Sequence, residues 1–208
     1  KVYIVSTQDT DVTPFDTGAY ASRQSYVSGK AVKKTAEMMK EKILEYAAWK
    51  LKMDQQTLDI RNNMIVTAEG EELLTMEALY SLERSVHITA EATSHCKENT
   101  FASGACFAEV EVDMPLGKVN VLKIINVHDS GILMNPKLAE AQVHGGMSMG
   151  LGYGLSEELM YDAKGKPLNN NLLDYKLPTA MDTPELNVEF IELQDPTGPF
   201  GNKALGEP

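Results

Sequence analysis

The sequence predicts an α+β fold in which mixed sheets pack with two long helices. Three observations lead there. Two stretches repeat apolar residues at helical spacing or run long without strand alternation. Shorter segments alternate apolar and polar residues and end in turn residues, as hairpin strands do. The elements read, in order, strand, long helix, hairpin, short helix, hairpin, long helix, strand. Helices packed on sheets bury both kinds of apolar face.

Composition bounds the rest. The 208 residues make one large domain or two small ones. An apolar content of 43% supports a sizeable core. The net charge of -11 argues against nucleic acid or an anionic membrane as a partner. Cys96 and Cys106 are the only cysteines and have neither CxxC spacing nor a disulfide framework. They read as reduced thiols of a cytoplasmic protein. No signal peptide, bilayer-spanning run or internal repeat is visible. The chain begins in a strand pattern without methionine, so it reads as a piece of a longer protein.

Lys1-Val2-Tyr3-Ile4-Val5 predicts a strand, followed by a polar loop through Gly18. Val32, Ala36, Met39, Ile43, Ala47 and Leu51 then define one face of a long helix. Tyr20-Ala21-Ser22-Arg23-Gln24-Ser25 lies at or near its N-terminus, where free N–H groups and the positive dipole end gather. That is a place for an anion. Equally, Ser22 or Ser25 caps the helix there, and local sequence leaves both open.

Leu58–Arg61 and Met64–Val66 predict a hairpin around Asn62-Asn63. Thr75 caps a short helix through Leu82. Residues 87–93 alternate weakly, as an edge strand does. His87 and His95 have no metal-ligand spacing. Phe101–Asp113 passes from a glycine-containing loop into a strand, Met114–Gly117 turns, and Val119–Val127 returns. Ser130 lacks the strand–turn–helix setting of a serine nucleophile. Asn135-Pro136 opens the second long helix, Leu138 to about Leu159, which Glu157 and Glu158 close with surface charge. Its five glycines, Gly145, Gly146, Gly150, Gly152 and Gly154, cost about 1 kcal/mol each against alanine. Close packing with another helix or close approach of a ligand would account for them. Leu186–Leu193 predicts the last strand. The chain ends in Lys203-Ala204-Leu205-Gly206-Glu207-Pro208. Gly206 lets a ligand approach the backbone, and Pro208 holds Glu207 out of helical geometry. Glu207 can act as a general base where a cavity shields it.

Five segments occur in a telling order: Asp9-Thr10-Asp11 with Gly18–Arg23, the strand Ala105–Asp113, Ala141-Gln142-Val143-His144-Gly145-Gly146, Asp174–Pro178, and the terminal Lys203–Pro208. The series resembles the molybdenum-binding subunit of the xanthine dehydrogenase/oxidase family of molybdenum hydroxylases, in its bacterial, separately encoded form. The resemblance implies a fragment of the molybdopterin-binding domain spanning residues 1–208, with the upstream cofactor loops and the segment after Pro208 lying elsewhere. It implies oxygen insertion, from water, at an electrophilic C–H carbon of a purine such as hypoxanthine or xanthine, with hydride passing to a molybdenum sulfido ligand. Glu207 matches the family's base. Gln142 matches the glutamine that hydrogen-bonds the cofactor, which would set the glycines beside the pterin. Tyr20, Ala21, Ser22 and Arg23 match the loop around metal and cofactor phosphate. Gln24 and Ser25, with Arg23, are candidates for the nucleotide tail of a cytosine dinucleotide cofactor, and Gly206 for close cofactor contact. No side chain is assigned as a metal ligand. [2Fe-2S] clusters and FAD are implied on partner subunits or domains, together with the rest of the molybdenum subunit. Half a site cannot preorganise the metal, so the fragment alone is expected to be inactive. The alternatives are a cofactor-less assembly domain, or the same chemistry on another N-heterocycle or an aldehyde.

Overall fold

The computed structural model describes residues 3–4, 9–13, 15–81 and 87–207. Lys1, Val2 and Val5 of the expected first strand lie outside the described residues, as do Leu82 and Pro208. Tyr3 and Ile4 are exposed and lie in no strand. The chain divides into two compact units, residues 1–18 with 27–95, and 19–26 with 96–208.

The first unit holds most of helix α1 (Gln24–Leu51), strands β1 (Leu58–Arg61), β2 (Met64–Thr67) and β3 (Glu72–Thr75), and the short helix α2 (Met76–Ser81). The strands form an antiparallel sheet in the order β1-β2-β3. Asn62 and Asn63 both take positive φ, 46° and 66°, as the tight hairpin turn between twisted strands requires. The expected hairpin is therefore present, with a third strand added. Thr75 ends β3 and also caps α2, its Oγ1 accepting from Ala78 N–H at 3.0 Å. Ile43, Leu44, Ala47 and Ala48 of α1 meet Leu58, Ile65, Met76 and Leu79 in one core. The apolar face of α1 is buried only in its C-terminal half, for Val32 is 51% exposed. Residues 87–93 form no strand. Instead Lys42 and Lys34 of α1 donate to the carbonyls of Thr89 (2.7 Å) and Thr93 (3.5 Å).

The second unit holds β4 (Ser103–Asp113), β5 (Lys118–Asp129), helix α3 (Pro136–Leu155) and β6 (Glu185–Phe190). The sheet is mixed: β5 is central, antiparallel to β4 and parallel to β6. A parallel neighbour needs a crossover, and α3 lies within it. Asn135 caps α3 by accepting from Leu138 N–H at 3.1 Å, with Pro136 in the first turn. Val143, Met147 and Leu151 repeat every four residues and pack on Ile124 of β5, with Val188 and Phe190 of β6 and with Leu205. The helix stops four residues short of Leu159. Glu157 is no surface charge, because it accepts the Tyr175 hydroxyl at 2.8 Å.

Ile65 is fully buried at the centre of the first core. Ile65→Ala is expected to destabilise that unit by about 2–5 kcal/mol. Urea unfolding of the full-length subunit checks it, and an unchanged midpoint would remove Ile65 from the core.

Candidate active site

The site is built where three distant parts of the second unit meet. The first is residues 20–25, leading into α1. Ala21 and Ser22 both have left-handed backbone, φ 50° and 48°, so the chain turns sharply before the helix starts at Gln24. Arg23 stands immediately ahead of the helix. Its guanidinium carbon lies 3.7 Å from the centroid of the Tyr20 ring. The second part is α3, which presents Gln142. The third is the terminal segment, where Leu205 N–H donates to the Ser22 carbonyl at 3.3 Å.

Gly206 is where they converge. Its φ of +111° is one that side-chain-bearing residues rarely adopt. A Cβ there would sit 3.4 Å from Ser22 Oγ and 3.5 Å from Gln142 Nε2. Gly146, one turn beyond Gln142, faces the same backbone, and a Cβ on it would meet the Gly206 carbonyl oxygen at 2.8 Å.

Two cavities adjoin this point, and Glu207 lines both. One, of about 540 Å³, is lined by Tyr20, Ser22, Gln24 and Ser25, by Gln142, and by the loop residues Ser130, Asn202 and Lys203. Gln24 and Ser25 in this lining open α1, where first-turn N–H groups and the positive dipole end gather. Ser130 Oγ and Asn202 Oδ1 are buried and have no hydrogen-bond partner among the described residues. The other cavity, of about 430 Å³, is mostly apolar. Gly146, Gly150 and Gly154 form one stripe of its wall, opposite Cys106 and Ala108 of β4.

Six of the residues expected from the sequence thus share one cavity: Tyr20, Ser22, Gln24, Ser25, Gln142 and Glu207. Gly206 lies between Ser22 and Gln142, while Ala21 and Arg23 are not in the lining. Ser130, Asn202 and Lys203 are additions. In the sequence Ser130 carries only the signal of a nucleophile, and nothing local marks it as cavity wall. Among the described residues no group of His, Cys, Asp or Glu is arranged to hold a metal ion, and no helix is long and apolar enough to cross a membrane.

Polar anchors fix the loop that delivers the terminal segment. Asp195 accepts from Thr100 Oγ1 and Thr197 Oγ1, each at 2.5 Å, and from the N–H groups of Thr197 and Gly198. Thr197 also shares a hydrogen bond with the buried Tyr26 hydroxyl in the first turn of α1. The bonds from Thr100 and then Thr197 outweigh burial and pull the Asp195 carboxyl from 3.8 down to about 2. Burial pushes the His128 imidazole below its ordinary value, against the opposing charge of Asp129.

Residues 1–184 match the family model for the molybdopterin cofactor-binding domain. The chain belongs to that family. It is 47% identical to the xanthine dehydrogenase molybdenum-binding subunit of Escherichia coli O157:H7, over 100% of this chain and 29% of that protein. It is 28% identical to the carbon monoxide dehydrogenase large chain of Hydrogenophaga pseudoflava, over 100% of this chain and 27% of that one. Its fold superposes on quinoline 2-oxidoreductase from Pseudomonas putida 86 with a TM-score of 0.80 and 26% identity, covering 94% of this chain and 26% of that one. The chain therefore spans under a third of the length of these relatives. The α+β class and the molybdopterin-domain fold expected from the sequence both hold.

Gly146→Ala is expected to displace the Gly206 backbone, whereas Gly150→Ala meets nothing within 4 Å and should gain up to about 1 kcal/mol of helix stability. Thermal unfolding of the two variants in the full-length subunit compares them. A Gly146→Ala protein as stable as the Gly150→Ala protein would contradict this geometry. The Asp195 value lies below its unfolded one, so its stabilisation is complete above about pH 4 and lost as pH falls through about 2. Asp195→Asn should consequently lose less stability than wild type between those pH values in equilibrium urea unfolding, and equal losses would remove Asp195 from the account.

Proposed function

We propose that this chain carries the proton-accepting half of a molybdenum hydroxylase centre, with Glu207 as the general base. The observation that carries the proposal is the meeting of Ser22, Gln142 and Glu207, from three separated segments, at one cavity, with Gly206 packed against the first two. The donor set suits a pterin cofactor with an anionic tail. It combines backbone left bare at Gly206, an amide at Gln142, hydroxyls at Ser22 and Ser25, and a helix N-terminus. Gln142 and Ser22 would hold the pterin end. Gln24 and Ser25, with Arg23 on the Tyr20 ring, would hold the tail of a cytosine dinucleotide form. When bound, the molybdenum–pterin group supplies two-electron redox chemistry and an activated water-derived oxygen. Glu207 would serve as the proton acceptor beside it, which is chemistry a carboxylate performs well only when placed at hydrogen-bond reach and shielded. Glu207 is exposed in this chain, so the shielding falls to the rest of the subunit.

The substrate class we favour is a purine, hypoxanthine or xanthine, on the strength of the 47% identity to the xanthine dehydrogenase subunit. In this reading the protein is cytoplasmic, and iron–sulfur and FAD subunits carry the electrons away. The test uses the full-length subunit with its partners, wild type beside Glu207→Gln. Molybdenum and pterin should be retained in both, and purine turnover should fall by about 10²–10⁴-fold in the variant. A wild type that holds molybdenum but turns over only another N-heterocycle or an aldehyde would reject the purine. A wild type without molybdenum or pterin would reject the catalytic reading in favour of an assembly domain.

A further inference from the structure

One buried carboxylate gathers the stretch that precedes Glu207. Asp129 ends β5, and its Oδ2 meets Lys203 Nζ at 2.6 Å, with side-chain exposures of 10% and 11%. Its Oδ1 accepts from the N–H groups of Gly131 (3.0 Å) and Leu193 (3.4 Å). Burial alone would raise the Asp129 carboxyl, but Lys203 and these N–H groups outweigh it and hold it below the ordinary value. The backbones lie side by side here. Lys203 N–H donates to the Ser130 carbonyl at 2.7 Å, Ile132 N–H donates to the Gly201 carbonyl at 2.9 Å, and Asn202 bridges Gly131. Two residues after Lys203, Leu205 packs on the second core and donates to the Ser22 carbonyl. Through Lys203 and Leu205 the backbone sets where Glu207 stands.

A buried ion pair adds little net stability over an apolar pair of the same volume, yet losing one partner strands a charge and forces the segment to move. We propose that Asp129 and Lys203 are positioning residues for Glu207. Their ion pair pins residues 201–203 onto 130–132, and the short backbone beyond carries the carboxylate to the border of the two cavities. The inference rests on Glu207 being the base.

The test uses the cofactor-loaded full-length subunit with its partner subunits, as wild type, Asp129→Asn, Lys203→Met and Glu207→Gln. Hydrogen–deuterium exchange reads the amides of residues 203–207, and steady-state kinetics with xanthine reads kcat and KM separately. Both pair variants should exchange about tenfold faster at Leu205 and lose about tenfold or more in kcat. KM should stay within about threefold, and molybdenum content should not change. Exchange unchanged in both variants overturns the proposal. So does faster exchange with kcat intact while Glu207→Gln is inactive, and so does loss of molybdenum, which would make the pair a structural support for the cofactor. A fully active Glu207→Gln sinks the base and the positioning role with it. That failure is separable, because the exchange data still report whether the pair holds the segment. Asp129→Asn keeps Oδ1 as an acceptor for both backbone N–H groups, so it decides alone if Lys203→Met does not fold.

Discussion

The second unit depends on a close backbone crossing. At Gly206 the terminal segment passes between Ser22 and Gln142 with a φ of +111°, over a helix that must itself lack a side chain at Gly146. Each condition constrains the others. A side chain at Gly146 would lift the Gly206 carbonyl. A bulkier residue at Ser22 would crowd the Gly206 α-carbon. Without the left-handed pair Ala21-Ser22, the carbonyl of Ser22 would not face the Leu205 N–H. One polar residue near the end of the chain is thereby fixed by residues roughly sixty and a hundred and eighty positions before it, which loop-closure entropy makes expensive unless the anchors are strong.

The glycines of α3 sort by this logic. Gly146 is required by Gly206, and Gly152 by the Glu157 carboxylate and Pro178, whose atoms lie within 3 Å of where a Cβ would stand. No second helix lies behind either contact, so the packing partner is irregular backbone and loop side chains. Gly145, Gly150 and Gly154 meet nothing within 4 Å. Gly150 and Gly154 leave their space as cavity wall. Losing about 1 kcal/mol per glycine in a helix is tolerable because Val143, Met147 and Leu151 hold its other face in the core.

Local rules made much of the fold legible. The Asn62-Asn63 hairpin, the Asn135-Pro136 helix start, the long β4–β5 hairpin and both long helices carry their own turn or capping chemistry. What the sequence hid was settled by distance. The parallel pairing of β6 with β5 joins residues about sixty apart, and no local pattern encodes it. Residues 87–93 alternate as a strand does, but the lysines of α1 take their carbonyls instead. Glu157 looks like a solvated helix end until Tyr175, eighteen residues on, is placed against it. The same holds at the site. Gln142 and Glu207 stand in recognisable motifs, whereas Ser130 and Asn202 become cavity wall only through a bridge between residues 131 and 202.

The anchors around the terminal segment are polar, and the reason is physical. An apolar anchor such as Leu205 fixes depth but tolerates sliding, since burial is non-directional and nearly proportional to area. A carboxylate that accepts three donors from separate stretches of chain fixes direction as well, because each hydrogen bond weakens steeply away from its axis. Asp129 does this at both ends of the 193–203 stretch, through Leu193 and Lys203, and Asp195, with four donors, does it inside the turn. Both carboxyls are held ionised by the donors that they order. A base must be placed to within a fraction of an ångström to work. A short segment with few apolar residues of its own reaches that tolerance through such directional contacts, and Asp129 and Asp195 supply them here.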